Sequence, residues 1–501
     1  MTVKPPTPEA TVKKSEPIST PEPAATTKPA YTPIFLEAEC RFKFRSSAEV
    51  RCGDLIVPEN RAYPVHGITI HVAIISSYSD QPEPDPLVYL TGGPGEPTLD
   101  FTDQHIISFN EVLKQRDLIL FDQRGVGHSS PSLDCHEIAE TERTHREIIY
   151  ADFSTSNELF LDAWQTCRDR LVSEGVDLSA YNSAAVTADL EDLFSLLEYD
   201  MWNLYGTSYG GRLALTAMRE DTQGIIRSVI LDSPLPPHID TLSELGPNTA
   251  GIFELLFERC AAFENCADTY PSLPEDFYAL VDKLNDDPIS LVVNDYNHQE
   301  TFLRPLNGYE LIDVLFYMMY SPYEIKYVPQ IVDHLDDGRT QRISRMLSQL
   351  LAHQATSEGM AMSVLCTEEF PFVDEQHLAN QLDGLPDSIK TYAKTSIEFN
   401  QNACDIWAID PQPVIEMEPV KSDIPTLILA GDYDPITPPH YAQSAASYLG
   451  QTHYIEFEGL SHGIIWTSRC SKELISLFLN DPLAYPESDC KDPGNLGFAT
   501  Q

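Results

Sequence analysis

The segment Gly206-Thr207-Ser208-Tyr209-Gly210 constrains this chain more than any other. MWNLY before it reads as a strand, and GGRLALTAM after it reads as a helix. A serine in such a strand-to-helix turn is thrust out of the path of the chain, and glycines fit where backbone crowds on either side. GxSxG alone occurs by chance in many proteins; the flanking pattern is what gives it weight. It calls for a parallel sheet with a helix returning over it, and it presents a hydroxyl at the carboxyl edge of that sheet.

Other short apolar runs supply the sheet. Residues 68–76 (ITIHVAIIS), 87–91 (LVYLT), 117–121 (DLILF), 201–205 and 228–231 read as strands. Residues 187–199 and 210–220 carry helical periodicity between them. Short apolar strands alternating with helices predict an α/β domain whose sheet is covered on both faces. From 236 to 420 the alternation stops, and segments such as GIFELLFERC, EDFYALVDKL and RISRMLSQLLAHQA read as helices. The strand pattern returns at 425–430 (PTLILA) and 453–457 (HYIEF), followed by a helix near 471–479. The expected organisation is a Pro/Thr-rich spacer over 1–33, a first α/β part over 34–235, a helical cap over 236–420, and a second α/β part over 421–501.

Charge and cysteines narrow the function. Asp and Glu number 77 against 32 Lys and Arg, a formal charge of −45. Such a field repels phosphate backbones and anionic membranes, which argues against nucleic acid, and it favours cationic groups such as a free amino terminus. No apolar run reaches the length of about eighteen residues that a membrane-spanning helix needs. The start MTVKPPTPEA has no apolar h-region. Ten cysteines fall into neighbours along the chain: Cys40 and Cys52, Cys135 and Cys167, Cys260 and Cys266, Cys366 and Cys404, Cys470 and Cys490. None has a zinc spacing, so five disulfides and an extracellular, periplasmic or surface-anchored location are expected, with a secretion signal already removed.

A serine hydroxyl needs a base, and the base needs an orienting acid. Strand PTLILA runs into Gly431-Asp432-Tyr433-Asp434-Pro435, and HYIEF runs into Glu458-Gly459-Leu460-Ser461-His462-Gly463. This gives the order serine, acid, histidine. His462 fits the base better than His440 or His453; the loop pattern leaves Asp434 and Asp432 open as the acid. Two backbone N–H groups must hold the tetrahedral oxyanion. Tyr209 supplies one, and the turn Thr91-Gly92-Gly93-Pro94-Gly95 supplies the other, with Gly93 preferred over Gly92 because Pro94 has no N–H. Asp122 and Arg124 in DQRG are expected to form a structural pair at the site floor. Neither a metal-ligand cluster nor a dinucleotide glycine fingerprint occurs, so no metal and no cofactor is expected.

In order, GGPG, DQRGVGHSSP, GTSYGG, GDYDPITP and GLSHG resemble the prolyl iminopeptidase and tripeptidyl aminopeptidase family, from about Cys40 to Cys490. The resemblance implies the α/β-hydrolase fold with a helical cap, a serine exopeptidase activity, and Asp434 as the acid. The cysteine layout is similar to the secreted tripeptidyl aminopeptidase branch. Two positions depart from the family: Thr91 stands where iminopeptidases commonly have His, and Glu96 where Gly is common.

An exopeptidase must sense a free ammonium at a fixed distance from its nucleophile. Glu368 and Glu369, beside Cys366 and flanked by apolar MSVL and FPF, are the acids expected to do so, and the resemblance points to Glu368 in particular. The expected substrate is thus a peptide with a free amino end, and no protein partner is indicated. The competing expectation is an esterase or lipase-like hydrolase with the same triad, since esters and amides share the acyl-enzyme route. A binding protein that has lost catalysis is disfavoured by the complete triad.

Overall fold

The structure, a computed structural model, describes residues 31–149, 153–352, 356–492 and 497–500. Among these residues eleven strands form two sheets. They are β1 (Ile34–Ala38), β2 (Val50–Pro58), β3 (Gly67–Ile75), β4 (Leu87–Leu90), β5 (Leu118–Phe121), β6 (Trp202–Thr207), β7 (Ile226–Asp232), β8 (Ile289–Asp295), β9 (Glu300–Leu306), β10 (Thr426–Gly431) and β11 (Thr452–Phe457). The large sheet runs β1-β2-β3-β5-β4-β6-β7-β10-β11. The pairs from β5 through β11 are parallel, whereas β1, β2 and β3 join antiparallel to one another and to β5. This is the α/β-hydrolase fold.

The strand sequences explain the layering. In β4 all four side chains are buried, as suits a parallel strand covered on both faces. Val88 and Leu90 point to one side, into a core shared with Leu190 and Leu193 of the helix Ser183–Leu196 and Leu213 of the helix Tyr209–Glu220. Leu87 and Tyr89 point to the other, into a core with Phe109, Ile475 and Phe478. Each such side chain taken out of water is worth about 1.5–3 kcal/mol. Register then aligns the carboxyl ends of the strands: Leu90 lies opposite Gly206, Thr207 opposite Asp232, Asp232 opposite Leu429, and Gly431 opposite Phe457. The loops that leave these ends carry Gly93, Ser208, Asp434 and His462.

Between β7 and β10 the chain is mostly helical, and it also holds the antiparallel hairpin β8-β9. Residues from Phe253 to Leu347 pack on a core of their own, which includes Phe257, Phe277, Leu311 and Ile331. The later part behaves differently: Met360, Met362, Val364 and Trp407 join the core of the large sheet. A helical excursion after β5, His136–Ile149 and Phe153–Ser173, also lies against this part, with Trp164 edge-on to Trp407 at 5.7 Å between ring centres. All five neighbouring cysteine pairs are disulfides: Cys40–Cys52, Cys135–Cys167, Cys260–Cys266, Cys366–Cys404 and Cys470–Cys490. No helix among the described residues is long and apolar enough to cross a membrane.

Candidate active site

Ser208 sits in the turn between β6 and the helix Tyr209–Glu220, with φ 58° and ψ −122°. This left-handed backbone is strained for a serine, and its neighbours enforce it. A Cβ at Gly206 would lie 2.2 Å from the Gly210 carbonyl oxygen, and one at Gly210 would lie 2.0 Å from that of Leu90. Only glycine lets the strand, the turn and β4 approach so closely. The Ser208 N–H donates to the Asp232 carbonyl at 3.0 Å, and the Ser208 carbonyl accepts from Gly211 and Leu235. Gly92 closes the opposite side, since a Cβ there would come 2.9 Å from the Ser208 Cβ. Tyr209 opens the helix, where backbone N–H groups lack intrahelical partners. Gly93 lines the same cavities as Ser208. Tyr209 thus follows Ser208 directly, and Gly93 lies on the wall of the cavities that Ser208 borders.

His462 and Asp434 meet. Nδ1 of the ring is 2.8 Å from Asp434 Oδ2, and the carboxylate is buried. Asp434 also accepts from the Thr437 N–H and hydroxyl, both at 2.9 Å. Burial disfavours the charged ring of His462, but Asp434, reinforced by Asp232 and Glu96, outweighs it and holds the histidine above its ordinary pKa. His462 and Ser208 line one cavity of about 480 Å³ without a direct hydrogen bond between them. Catalytic hydrogen bonds are often long in unliganded sites and tighten with substrate. Asp432 goes elsewhere: it pairs with Arg259 at 2.7 Å and accepts from the Gly459 N–H, bracing the loop. His440 lies near Glu244, and His453 packs on Phe478 and Tyr485. The set Ser208, His462 and Asp434 can perform acyl transfer, with His462 taking the serine proton and returning it to the leaving group.

The two acids expected to read an ammonium part company. Leu365–Glu369 is a wide π-type turn, which aims consecutive glutamates differently. Glu368 is fully buried and does not line the cavity. It accepts from the Ser183 N–H at 2.6 Å and hydroxyl at 2.7 Å, and lies 3.3 Å from Arg212 Nε. Direct contact of Glu368 with a substrate is thus corrected: its donors come from the protein interior. Burial pushes its carboxyl up, against the pull of Arg212 and Ser183. Glu369 does line the cavity that starts at Ser208, alongside Arg212 and Thr241. It pairs with Arg212 Nη1 and accepts from the Thr241 hydroxyl at 2.7 Å.

The expected Asp122–Arg124 pair is also corrected. Asp122 accepts from the N–H groups of Thr98, Leu99 and His128, and so shapes the loop after Gly93. Arg124 instead makes a two-pronged ion pair with Asp189. The two residues lie in the loop after β5, where each side chain takes the partners that packing brings to it: backbone N–H groups for Asp122 and a helix carboxylate for Arg124.

Several site residues had no sequence signal. Asp232, at the end of β7, accepts from the N–H groups of Ile464 and Ile465 and from the Tyr205 hydroxyl, fixing the turn after His462. Tyr320 stands edge-on to His462 at 5.2 Å between ring centres. The Ser461 hydroxyl donates to the Met319 carbonyl, tying the histidine loop to the segment before Tyr320. Arg212 could have been suspected, being one helical turn beyond Ser208 and so on the same face.

Residues 85–269 match the family described as alpha/beta hydrolase fold, and residues 390–490 match the family described as TAP-like protein. The chain thus carries an α/β-hydrolase domain and a TAP-like domain. It is 23% identical over 461 residues to serine protease Hip1 of Mycobacterium tuberculosis, covering 85% of this chain and 84% of that protein. It is 24% identical over 481 residues to carboxylesterase B of the same organism, covering 90% and 88%. A crystal structure of proline iminopeptidase from Mycobacterium smegmatis aligns with a TM-score of 0.39 at 14% identity, covering 86% of this chain and 98% of that one. The chain is a serine hydrolase of this fold.

Proposed function

We propose that this hydrolase is a serine aminopeptidase that holds peptides by their free amino end. Ser208 attacks the scissile carbonyl, His462 is the base and then the acid, and Asp434 orients the ring. The N–H groups of Tyr209 and Gly93 receive the oxyanion. The observation that carries the reading is the cavity of about 460 Å³ that is lined both by Ser208 and by Glu369. Its other walls are mostly apolar, among them Leu235, Leu245, Phe316, Met362 and Val364, with Asn248, Glu358 and Asn400 as polar points. An apolar channel suits an acyl chain of a few residues. Two carboxyls face one guanidinium at its Glu369 side, and an incoming ammonium supplies the second cation there. Glu368 acts from behind by fixing Ser183 and Arg212. The inserted segment over 236–420 acts as the cap that roofs this channel. Five disulfides support an oxidising location outside the cytosol.

The relative named serine protease supports a peptidase, and the one named carboxylesterase supports the competing esterase reading. One assay separates them. Free-amine peptide anilides, their N-acetylated forms and a small uncharged ester are compared in wild type and Glu369→Gln. The aminopeptidase reading expects Glu369→Gln to lower kcat/KM for free-amine peptides by roughly ten- to a hundredfold and to spare the ester. Equal cleavage of acetylated and free peptides would sink it and favour the esterase.

A further inference from the structure

Glu96 is an acid at the catalytic cleft that the proposed amine recognition leaves over. It lies three residues past Gly93, in the loop that closes on Ser208, and it lines the cavity that contains Ser208 and His462. Among the described residues Glu96 makes no hydrogen bond and no ion pair. Glu96 is exposed to the cleft; desolvation by the cleft walls pushes its carboxyl up, and His462 alone acts in the opposite sense.

Its side of the cleft can be assigned. Ser208 borders two cavities. One contains Tyr209, Arg212 and Glu369; the other contains His462, Glu96, Tyr320 and Trp466. The proton that His462 takes from Ser208 must be returned to the departing atom. The leaving group therefore lies on the His462 side, which is the side of Glu96. This side shares Gly93, Glu96, Tyr320 and Thr356 with a larger cavity of about 1040 Å³, which also borders the cavity of Glu369 through Pro94, Glu358 and Ala361. Farther in, its lining includes Glu310 and Asp313 of the helix Gly308–Met318. Oε1 of Glu310 is taken by Arg304, while Oε2 is the one buried carboxylate oxygen without a donor among the described residues. Burial, only partly countered by Arg304, pushes the Glu310 carboxyl up to about 7, while Asp313, exposed and accepting from the Tyr392 hydroxyl, is pushed to about 6 by desolvation. An approaching cation would favour the ionised form of both.

We infer that the leaving-group side of the cleft selects substrates with a cationic group just beyond the scissile bond, with Glu96 as the first acceptor and Glu310 behind it. In a peptide this cation is a Lys or Arg side chain on the residue after the cut. The peptide form of the inference rests on the aminopeptidase reading; the charge preference itself does not.

The test uses two substrate pairs on the full-length protein. The first is a free-amine peptide with Lys after the scissile bond against the same peptide with norleucine there. The second is a choline ester against its uncharged 3,3-dimethylbutyl counterpart. Wild type should favour the cationic member of each pair it cleaves by about tenfold in kcat/KM, the scale of one charge-assisted contact. In Glu96→Gln that ratio should fall toward unity, and in Glu310→Gln it should fall in part. A wild-type ratio near one overturns the inference, as does a ratio that survives Glu96→Gln. If only the esters are cleaved and their ratio collapses in Glu96→Gln, the inference stands and the peptidase reading falls.

Discussion

At the residue scale the site is a set of charges arranged around one hydroxyl. Ser208→Ala should lower kcat by a thousandfold or more while the thermal transition stays in place, because the loss falls on the chemical step. Asp434→Asn should approach that loss. Asp432→Asn should not, since Asp432 spends its oxygens on Arg259 and Gly459 rather than on His462. Comparable losses from the two would unseat Asp434. The elevated pKa of His462 sets a further expectation with a definite sign. Catalysis needs the neutral ring, and a raised pKa means the ring becomes charged at a higher pH as acid is added. The acid limb of kcat/KM should then have its midpoint above the ordinary histidine value of about 6.5. Glu96→Gln removes one of the carboxylates that raise it and should move the midpoint down. A midpoint at or below the ordinary value would contradict the electrostatic picture of the site.

At the element scale, two features hold the site in place. The first is the close crossing of the helix Tyr209–Glu220 over β4. Gly210→Ala would force a methyl group to within 2.0 Å of the Leu90 carbonyl. Strand and helix would have to separate, an overpacking cost of about 1–3 kcal/mol or more. Both a lower Tm and a loss of activity should follow; an unaffected Tm would mean that the turn is looser than described. The second is the Cys366–Cys404 bridge, which fastens the turn of Glu368 and Glu369 to the helix Asp387–Trp407. It closes a loop of 38 residues in sequence separation. A constraint of that size on the unfolded chain is worth about 4 kcal/mol. The double change Cys366→Ala and Cys404→Ala should lower Tm. If that turn positions Glu369, it should also raise KM for free-amine peptides more than for an uncharged ester.

At the scale of the whole molecule, the five bridges predict that alkylation of the denatured, unreduced protein finds no free thiol. Recovery of several alkylated cysteines would remove the argument for an oxidising compartment. The two cores define the larger architecture. One lies on the large sheet and takes in Met360, Val364 and Trp407; the other is confined to the segment between Ala250 and Leu347, apart from a few later residues such as Ile389 and Tyr433. The catalytic cleft lies where these units face each other, with Phe316 and Tyr320 contributed by the second and Ser208 by the first.

The sequence by itself determined the parallel sheet, the turn at Ser208 and the loops that carry Asp434 and His462. These are local properties: side-chain period, glycine spacing and the order of strand ends are all written in neighbouring residues. It suggested the pairing of neighbouring cysteines, but the connectivity itself is read only from the structure. Other outcomes were settled only by packing. Helical periodicity in the segment from 236 to 420 shows that an apolar face exists but not what covers it, so neither the hairpin β8-β9 nor the division between two cores could be read. Glu368 and Glu369 are adjacent in sequence and chemically equal. Only the wide turn at Leu365–Glu369 sends one to Ser183 and the other to the cavity. Arg124 found Asp189 rather than Asp122 for the same reason. A buried charge takes whichever partner the surrounding fold brings within hydrogen-bond reach, and that distance is a property of the tertiary structure alone.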